Sequence, residues 1–224
     1  MIVTPLRPAP PPEREEALRK FLSFCHTKRY PHRQEIIKPG DVGDTLYYIV
    51  EGSVAITMQE EMEDGKREIV LAYMNKSEFI GEVGVFIGEM KRSVSVVTRT
   101  PCLLAEIKHS RFLQLLDAEL EPHAQELLFA LGEQLSTRLL QASRKVSHLA
   151  YLDVTGRIAK TLMDLCREPD AITHPDGMQI RITRQELGRI VGCSREMAGR
   201  VLKILEEQKL ITAKGKTIVV FGTR

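Results

Sequence analysis

The chain has 224 residues, 43% of them apolar and 28% charged, a balance that excludes global disorder and leaves room for one large domain or two ordinary ones. The net charge of +2 hides an asymmetry: residues 151–224 carry 13 Lys and Arg against 9 Asp and Glu, whereas residues 1–150 carry 19 against 21. A basic C-terminal third on a slightly acidic body points to a polyanion-binding module appended to something else. No apolar run approaches the ~20 residues of a membrane-spanning helix, and no charged segment followed by an apolar one opens the chain, so a cytoplasmic protein without a membrane partner is expected.

Residues 1–12 hold Pro5, Pro8, Pro10, Pro11 and Pro12 and read as a leader that forms neither helix nor central strand. Residues 13–24 read as a short amphipathic helix with Leu18, Phe21 and Leu22 on one side. From Ile36 to Ile107 the texture is β-rich, with apolar segments at Ile36-Ile37, Leu46–Val50, Val54–Met58, Ile69–Tyr73, Val94–Val97 and Leu103–Ile107. Seven of the fifteen glycines fall between Gly40 and Gly88, and short strands with such punctuation predict a small barrel or jelly roll.

After Pro122 the pattern is helical for about thirty residues, a length of ~45 Å. Leu128, Leu135, Ala142 and Leu149 recur every seven residues, with Leu131, Leu139 and Val146 beside them. The far stretch, with Arg138, Arg144 and Lys145, is too polar to be packed on every side. A narrow apolar stripe on a long helix predicts a two-helix seam and hence a homodimer. Beyond it come a helix through Ile158, Leu162 and Leu165, a turn-rich loop at Pro169–Met178, a strand at Gln179–Ile182, two helices at 184–190 and 194–207, and a hairpin around Lys214-Gly215-Lys216. That order is a winged helix-turn-helix.

The helix-turn-helix is the strongest local signal. Thr183 is a natural N-cap with Glu186 three residues on, Gly192 supplies the turn, and Ser194 caps the second helix. Gly188 lets the two helices cross closely, and Leu187, Ile190, Val191, Val201 and Leu202 make the shared core. Arg195, Glu196 and Arg200 are left at the exposed start of the second helix, where Arg suits guanine O6 and N7 and Glu accepts from cytosine N4. A second signal is Phe79-Ile80-Gly81-Glu82-Val83-Gly84-Val85-Phe86 followed by Arg92-Ser93. A glycine-flanked turn offers backbone N–H groups, Arg92 and Ser93 can converge on an anion, and Glu82 can accept from a sugar hydroxyl.

The runs Leu152–Arg157, Thr173–Ile180, the helix-turn-helix and Gly215–Val220 are similar to the catabolite activator (cyclic-AMP receptor protein) branch of the bacterial CRP/FNR transcription factors, over roughly residues 18–224. The resemblance implies an α+β chain. Its parts are a proline-rich leader (1–17), a jelly-roll cyclic-nucleotide-binding domain (18–120), a dimerisation helix (121–151) and a winged helix-turn-helix domain (152–224). It implies that Gly81 and Glu82 hold the ribose and Arg92 and Ser93 the cyclic phosphate. It also implies that Arg195, Glu196 and Arg200 read TGTGA-type half-sites in double-stranded DNA, with Thr183, Arg184, Ser194 and Lys216 on phosphates. RNA polymerase would meet Thr173, His174 and Gly177, and a basic patch of His26, Lys28 and Arg111. A hinge is expected near Tyr151–Gly156.

One position departs from the pattern. Cyclic-AMP-responsive members carry adjacent Thr and Ser on the long helix, and this chain has Ala142-Ser143. Cyclic AMP is the first expectation and cyclic di-GMP the alternative, with a regulator that needs no small ligand as a further one. An enzyme on the same jelly roll is disfavoured, because residues 36–107 contain no His. The scattered His and the four isolated Cys give no metal-ligand spacing, so no metal is expected.

Overall fold

The computed structural model describes residues 11–62, 65–88, 90–168 and 170–223. Residues 1–10, most of the expected leader, lie outside them. The chain forms two compact units, and the boundary between Leu140 and Gln141 falls inside the long helix α4 (Ala124–Tyr151).

In the first unit, α1 (Pro12–Leu22) begins on a proline and carries Glu13 and Glu15 in its first turn and Arg19 and Lys20 in its last, the charge order that suits the helix dipole. It buries Ala17 and Phe21. Eight strands follow: β1 (His26–Tyr30), β2 (Glu35–Ile37), β3 (Thr45–Glu51), β4 (Ser53–Met62), β5 (Gly65–Asn75), β6 (Phe79–Ile80), β7 (Ser95–Thr98) and β8 (Cys102–Lys108). They pair antiparallel as two four-stranded sheets, ordered β1-β8-β3-β6 and β2-β7-β4-β5, which is the expected jelly-roll sandwich. Alternation along β3 and β8 sends Leu46, Tyr48, Ala105 and Ile107 into a core shared with Phe21, Phe79, Phe112, Leu127 and Leu131. Phe79 packs its ring on Phe21 at 5.8 Å and on Tyr48 at 4.9 Å between centroids. The short helix α2 (Val83–Ile87) and α3 (His109–Leu116) complete this unit, and Pro122 is the middle residue of a 3₁₀ turn (Glu121–His123) just ahead of α4.

The second unit follows the expected winged helix-turn-helix order. It comprises the end of α4, then α5 (Val154–Leu165), β9 (Ile172–His174), β10 (Gly177–Arg181), α6 (Arg184–Val191), α7 (Arg195–Glu207), β11 (Ile211–Lys214) and β12 (Thr217–Phe221), with the sheet ordered β11-β12-β10-β9. Ile158 and Leu162 of α5, Leu187 and Val191 of α6 and Val201, Leu202 and Leu205 of α7 close over Ile180, Ile218 and Val220 of the sheet.

Three elements correct the sequence reading. The strands begin at His26, ahead of the β-rich stretch read from Ile36, because the charged β1 is an exposed edge strand defined by its pairing with β8. The segment 169–178 contains β9, paired to β10 from Ile172↔Gln179 to His174↔Gly177, where a loop was expected. The two-residue β6, read only as part of a turn motif, pairs with Tyr47 and Tyr48. All three are short or polar, and their pairing partners are what make them strands.

Candidate functional site

The turn after β6 puts Gly81, Glu82 and Arg92 together. Gly81 has φ +86°, and a Cβ there would lie 2.6 Å from the Thr45 carbonyl oxygen and 2.8 Å from Arg92 Nη2, so only glycine fits. Arg92 Nη2 donates to that same carbonyl at 2.7 Å, which holds the guanidinium across the turn. Ser93 follows in an exposed position. Glu82 caps α2 and is only 1% exposed. Its Oε1 accepts from Arg138 Nη1, while its Oε2 is buried with no hydrogen-bond partner among the described residues.

Arg138 is a correction as well as a finding. The sequence reading left it among the polar residues of the helix's far stretch, whereas the structure packs it onto the turn. One helical turn earlier, Gln134 is 2% exposed; its amide oxygen accepts from the Phe79 N–H at 2.7 Å and its amide nitrogen donates to the Phe79 carbonyl at 3.0 Å. Arg138 Nη2 donates to that carbonyl too. The signal in the sequence was a Gln and an Arg at i and i+4 beside an apolar stripe, which places both on one helix face. α1 meets α4 through Arg14, whose guanidinium lies 3.5 Å from Glu126 and 2.5 Å from Glu133.

Ala142 and Ser143 are exposed on α4 and belong to the second unit. Of the heptad stripe, Leu131 belongs to the first unit's core, while Leu139 is 68% and Leu149 58% exposed. α4 ends at Tyr151, and Asp153 caps α5 by accepting from the Gly156 N–H at 2.7 Å. Arg157 donates to the Leu152 carbonyl at 2.9 Å and to the Val191 carbonyl at 3.3 Å, so the expected hinge segment is tied to the end of α6.

In the helix-turn-helix, Thr183 accepts from the Glu186 N–H at 3.0 Å and Ser194 from the Met197 N–H at 3.1 Å. Gly192 ends α6 in the left-handed region at φ +75°. A Cβ on Gly188 would lie 2.6 Å from the Cys193 carbonyl, which is the close crossing the sequence implied. Arg184, Ser194, Arg195, Glu196, Arg200 and Lys216 are exposed, and Thr183 is half-buried. The backbone N–H of Glu196 first, then the Ser194 hydroxyl, hold the Glu196 carboxyl below the usual carboxylate range, and Arg195 and Arg200 add to it. The exposed face thus presents an ionised acceptor beside two arginine donors.

On the other surfaces, His26 and Lys28 project from β1, and Arg111 lies 3.4 Å from Glu119. Thr173 is exposed on β9 and His174 is half-buried, with its Nδ1 accepting from the Asp176 N–H at 3.3 Å. Gly177 is buried, and a Cβ there would lie 2.0 Å from the Val220 carbonyl oxygen. Among the described residues no cluster of His, Cys, Asp and Glu is arranged to hold a metal, and no helix is long and apolar enough to cross a membrane.

Residues 27–119 match the model of the cyclic nucleotide-binding domain, and residues 180–211 match that of the bacterial regulatory proteins of the crp family. The chain is 50% identical to the CRP-like protein Clp of Xanthomonas euvesicatoria pv. vesicatoria, across all of this chain and 97% of that one. Among solved structures it is similar to the c-di-GMP-responsive global regulator CLP of Xanthomonas campestris, with a TM-score of 0.87 and 51% identity over 93% of this chain and 100% of that chain. It is also similar to TTHA1359, a CRP/FNR-family transcriptional regulator of Thermus thermophilus, with a TM-score of 0.69 and 25% identity over 88% of this chain and 93% of that chain. A caged glutamate beside Arg92 and a capped helix-turn-helix with a charged exposed face are thus found on a chain that belongs to the CRP/FNR family of bacterial transcription regulators.

Proposed function

We propose that the chain is a homodimeric regulator whose affinity for palindromic DNA is set by a cyclic nucleotide bound at the turn after β6. The observation that carries the reading is Glu82. A buried carboxylate with one oxygen tied to Arg138 and the other unpartnered fits a ribose hydroxyl donor, and Gly81 lets the turn approach the Thr45 carbonyl and the Arg92 guanidinium closely. Arg92 and Ser93 supply the charge and hydroxyl for a phosphodiester, and the cyclic nucleotide-binding model spans all four residues. Ala142 in place of a Thr lacks one polar contact to adenine, and the 51% identical regulator from Xanthomonas campestris responds to cyclic di-GMP. Both favour cyclic di-GMP over cyclic AMP as the effector.

The exposed leucines of α4 support pairing with the same helix of a second copy. In such a dimer Arg195, Glu196 and Arg200 read bases of TGTGA-type half-sites one helical turn apart, ~34 Å, and Thr183, Arg184, Ser194 and Lys216 hold phosphates. The surface around Thr173 and His174, and the basic patch of His26, Lys28 and Arg111, are the proposed RNA polymerase contacts. Gly177 shapes the first of these from beneath. A double Thr173→Ala, His174→Ala variant that still binds DNA should lose transcription in vitro, and unchanged transcription would remove that contact.

The effector assignment is tested by calorimetric titration of the full chain with cyclic AMP, cyclic GMP and cyclic di-GMP in turn. Saturable binding of one of them that is lost in Arg92→Leu supports the site. Binding of none leaves a regulator whose DNA-ready state needs no ligand.

A further inference from the structure

Met197 stands in the first turn of α7, next to Glu196, and takes no part in the base and phosphate contacts proposed above. Its backbone N–H donates to the Ser194 hydroxyl at 3.1 Å, which makes it the third helical position behind the cap. The equivalent position of α6 is Glu186, whose N–H donates to the Thr183 hydroxyl at 3.0 Å. An acidic side chain suits that place, because it can reach back to the cap and faces the positive end of the helix dipole. α7 forgoes this gain and carries an apolar side chain there.

That side chain is 38% exposed, whereas Ala198, Val201, Leu202 and Leu205 of the same helix are buried. Seven residues on, Ile204 is 42% exposed, and the exposed Arg200 lies between the two. Residues at i, i+3 and i+7 share one helix face, so α7 bears an apolar edge that runs along Arg200 and borders the charged face of Arg195 and Glu196. The opposite border is cationic: Arg184 of α6 lies over Gly199, where a Cβ would be 3.5 Å from its Cδ. Apolar side chains scattered singly over a surface need no account, but two aligned on either side of a guanidinium form a surface of definite chemistry.

We infer that Met197 is a specificity-determining residue of the DNA interface, packing on the C5-methyl group of a thymine next to the base pair that Arg200 reads. The inference rests on the reading of bases by α7 proposed above. In the major groove thymine alone presents an apolar group at its edge; the other bases offer hydrogen-bond donors and acceptors, which a thioether meets only weakly. A long, unbranched and polarisable side chain reaches beyond the helix backbone and adapts its shape to a methyl group. The neighbouring side chain agrees with this choice. Arg200 suits guanine, and in a TGTGA-type half-site a thymine stands on the 5′ side of each guanine.

The test measures the Kd of the full chain at fixed salt for a duplex of two TGTGA-type half-sites, with each thymine of one half-site replaced in turn by deoxyuridine. Uracil pairs as thymine does and lacks only the methyl group. Saturating cyclic di-GMP, saturating cyclic AMP or neither is used, whichever gives the tightest binding. Loss of one methyl group should weaken wild type about fourfold, the worth of one buried methyl or methylene group, and loss of the others should leave Kd unchanged. M197Q, similar in length but polar, should bind the thymine and uracil duplexes alike, while the apolar M197L should keep the difference. Equal binding of every uracil duplex by wild type, or an undiminished thymine preference in M197Q, overturns the role of Met197 and leaves Arg195, Glu196 and Arg200 as the readers. A wild type that binds a scrambled duplex as tightly overturns base reading by α7 and this inference with it. Should M197Q fail to fold, M197A takes its place, with the same loss of preference expected and the same persistence refuting it.

Discussion

Arg138 grips Glu82 across 56 positions of sequence, and in doing so joins α4 to the turn where an effector would sit. Gln134 adds a two-pronged amide clamp on Phe79 one helical turn away. Any movement of that turn is thereby felt by α4, the same helix that carries the exposed leucines. Since Glu82 Oε2 is unpartnered, a ligand hydroxyl can be accepted without breaking the pair with Arg138.

Removing either grip should cost stability. Arg138→Ala orphans a buried carboxylate and should destabilise the first unit by about 3–5 kcal/mol. Gln134→Leu should cost less, about 1–3 kcal/mol, because it strands only the Phe79 N–H while Arg138 still serves the carbonyl. Urea denaturation followed by far-ultraviolet circular dichroism measures both. Equal and negligible losses would mean that the α4 clamp carries no energy.

The helix-turn-helix was the most legible part of the chain because its determinants are local. Thr183, Gly192 and Ser194 declare two caps and a turn within twelve residues, and each does in the structure what its chemistry implied. The jelly roll was legible in outline, since alternating aliphatic runs and glycines mark strands. What escaped were features whose cause lies far along the chain. β1 and β9 are polar edge strands recognisable only from β8 and β10, and Arg138 looks like any solvated arginine until Glu82 is placed beside it. His109 escaped for the same reason, since nothing local says that Gly84 will come against its ring.

Dimerisation through α4 should be lost when its stripe is charged. Leu135→Glu with Leu149→Glu should give a monomer in sedimentation equilibrium at concentrations where wild type is a dimer. A dimer that survives both changes would place the interface elsewhere.

Acid should destabilise the first unit in two stages. His109 is depressed below 6.5, chiefly by burial, so its contribution is complete above about pH 6.5 and declines as pH falls through its lower folded-state pKa, because the unfolded chain binds the proton more readily. Asp44 is held below 3.8 chiefly by hydrogen bonds from the Lys108 ammonium and the Thr45 hydroxyl, so its contribution persists to lower pH and is lost only near and below that value. Denaturation midpoints should therefore slope downward below pH 6.5 in wild type and less so in H109Q. A midpoint that rises on acidification from pH 7 to pH 5 would contradict the burial of a neutral imidazole.

If the exposed start of α7 reads bases as proposed, substitutions there and at Lys216 should separate two kinds of contact. Glu196→Ala or Arg200→Ala should weaken cognate binding by about 1–3 kcal/mol and relax preference at one base pair. Lys216→Ala should weaken all sequences alike and reduce the salt slope by about one. Fluorescence anisotropy over a panel of half-site variants distinguishes them. Equal losses for Glu196→Ala on every sequence would mean that α7 does not read bases.

The central claim is that a cyclic nucleotide at Glu82 and Arg92 changes the grip on DNA. Its most direct measurement is the Kd for a palindromic TGTGA-type duplex at fixed salt, with and without saturating cyclic di-GMP or cyclic AMP, in wild type and in Arg92→Leu. We predict at least a ~10-fold change in wild-type Kd with one of the two nucleotides, a coupling of about 1.4 kcal/mol, and none in Arg92→Leu. A wild-type Kd that is the same with either nucleotide as without would contradict it.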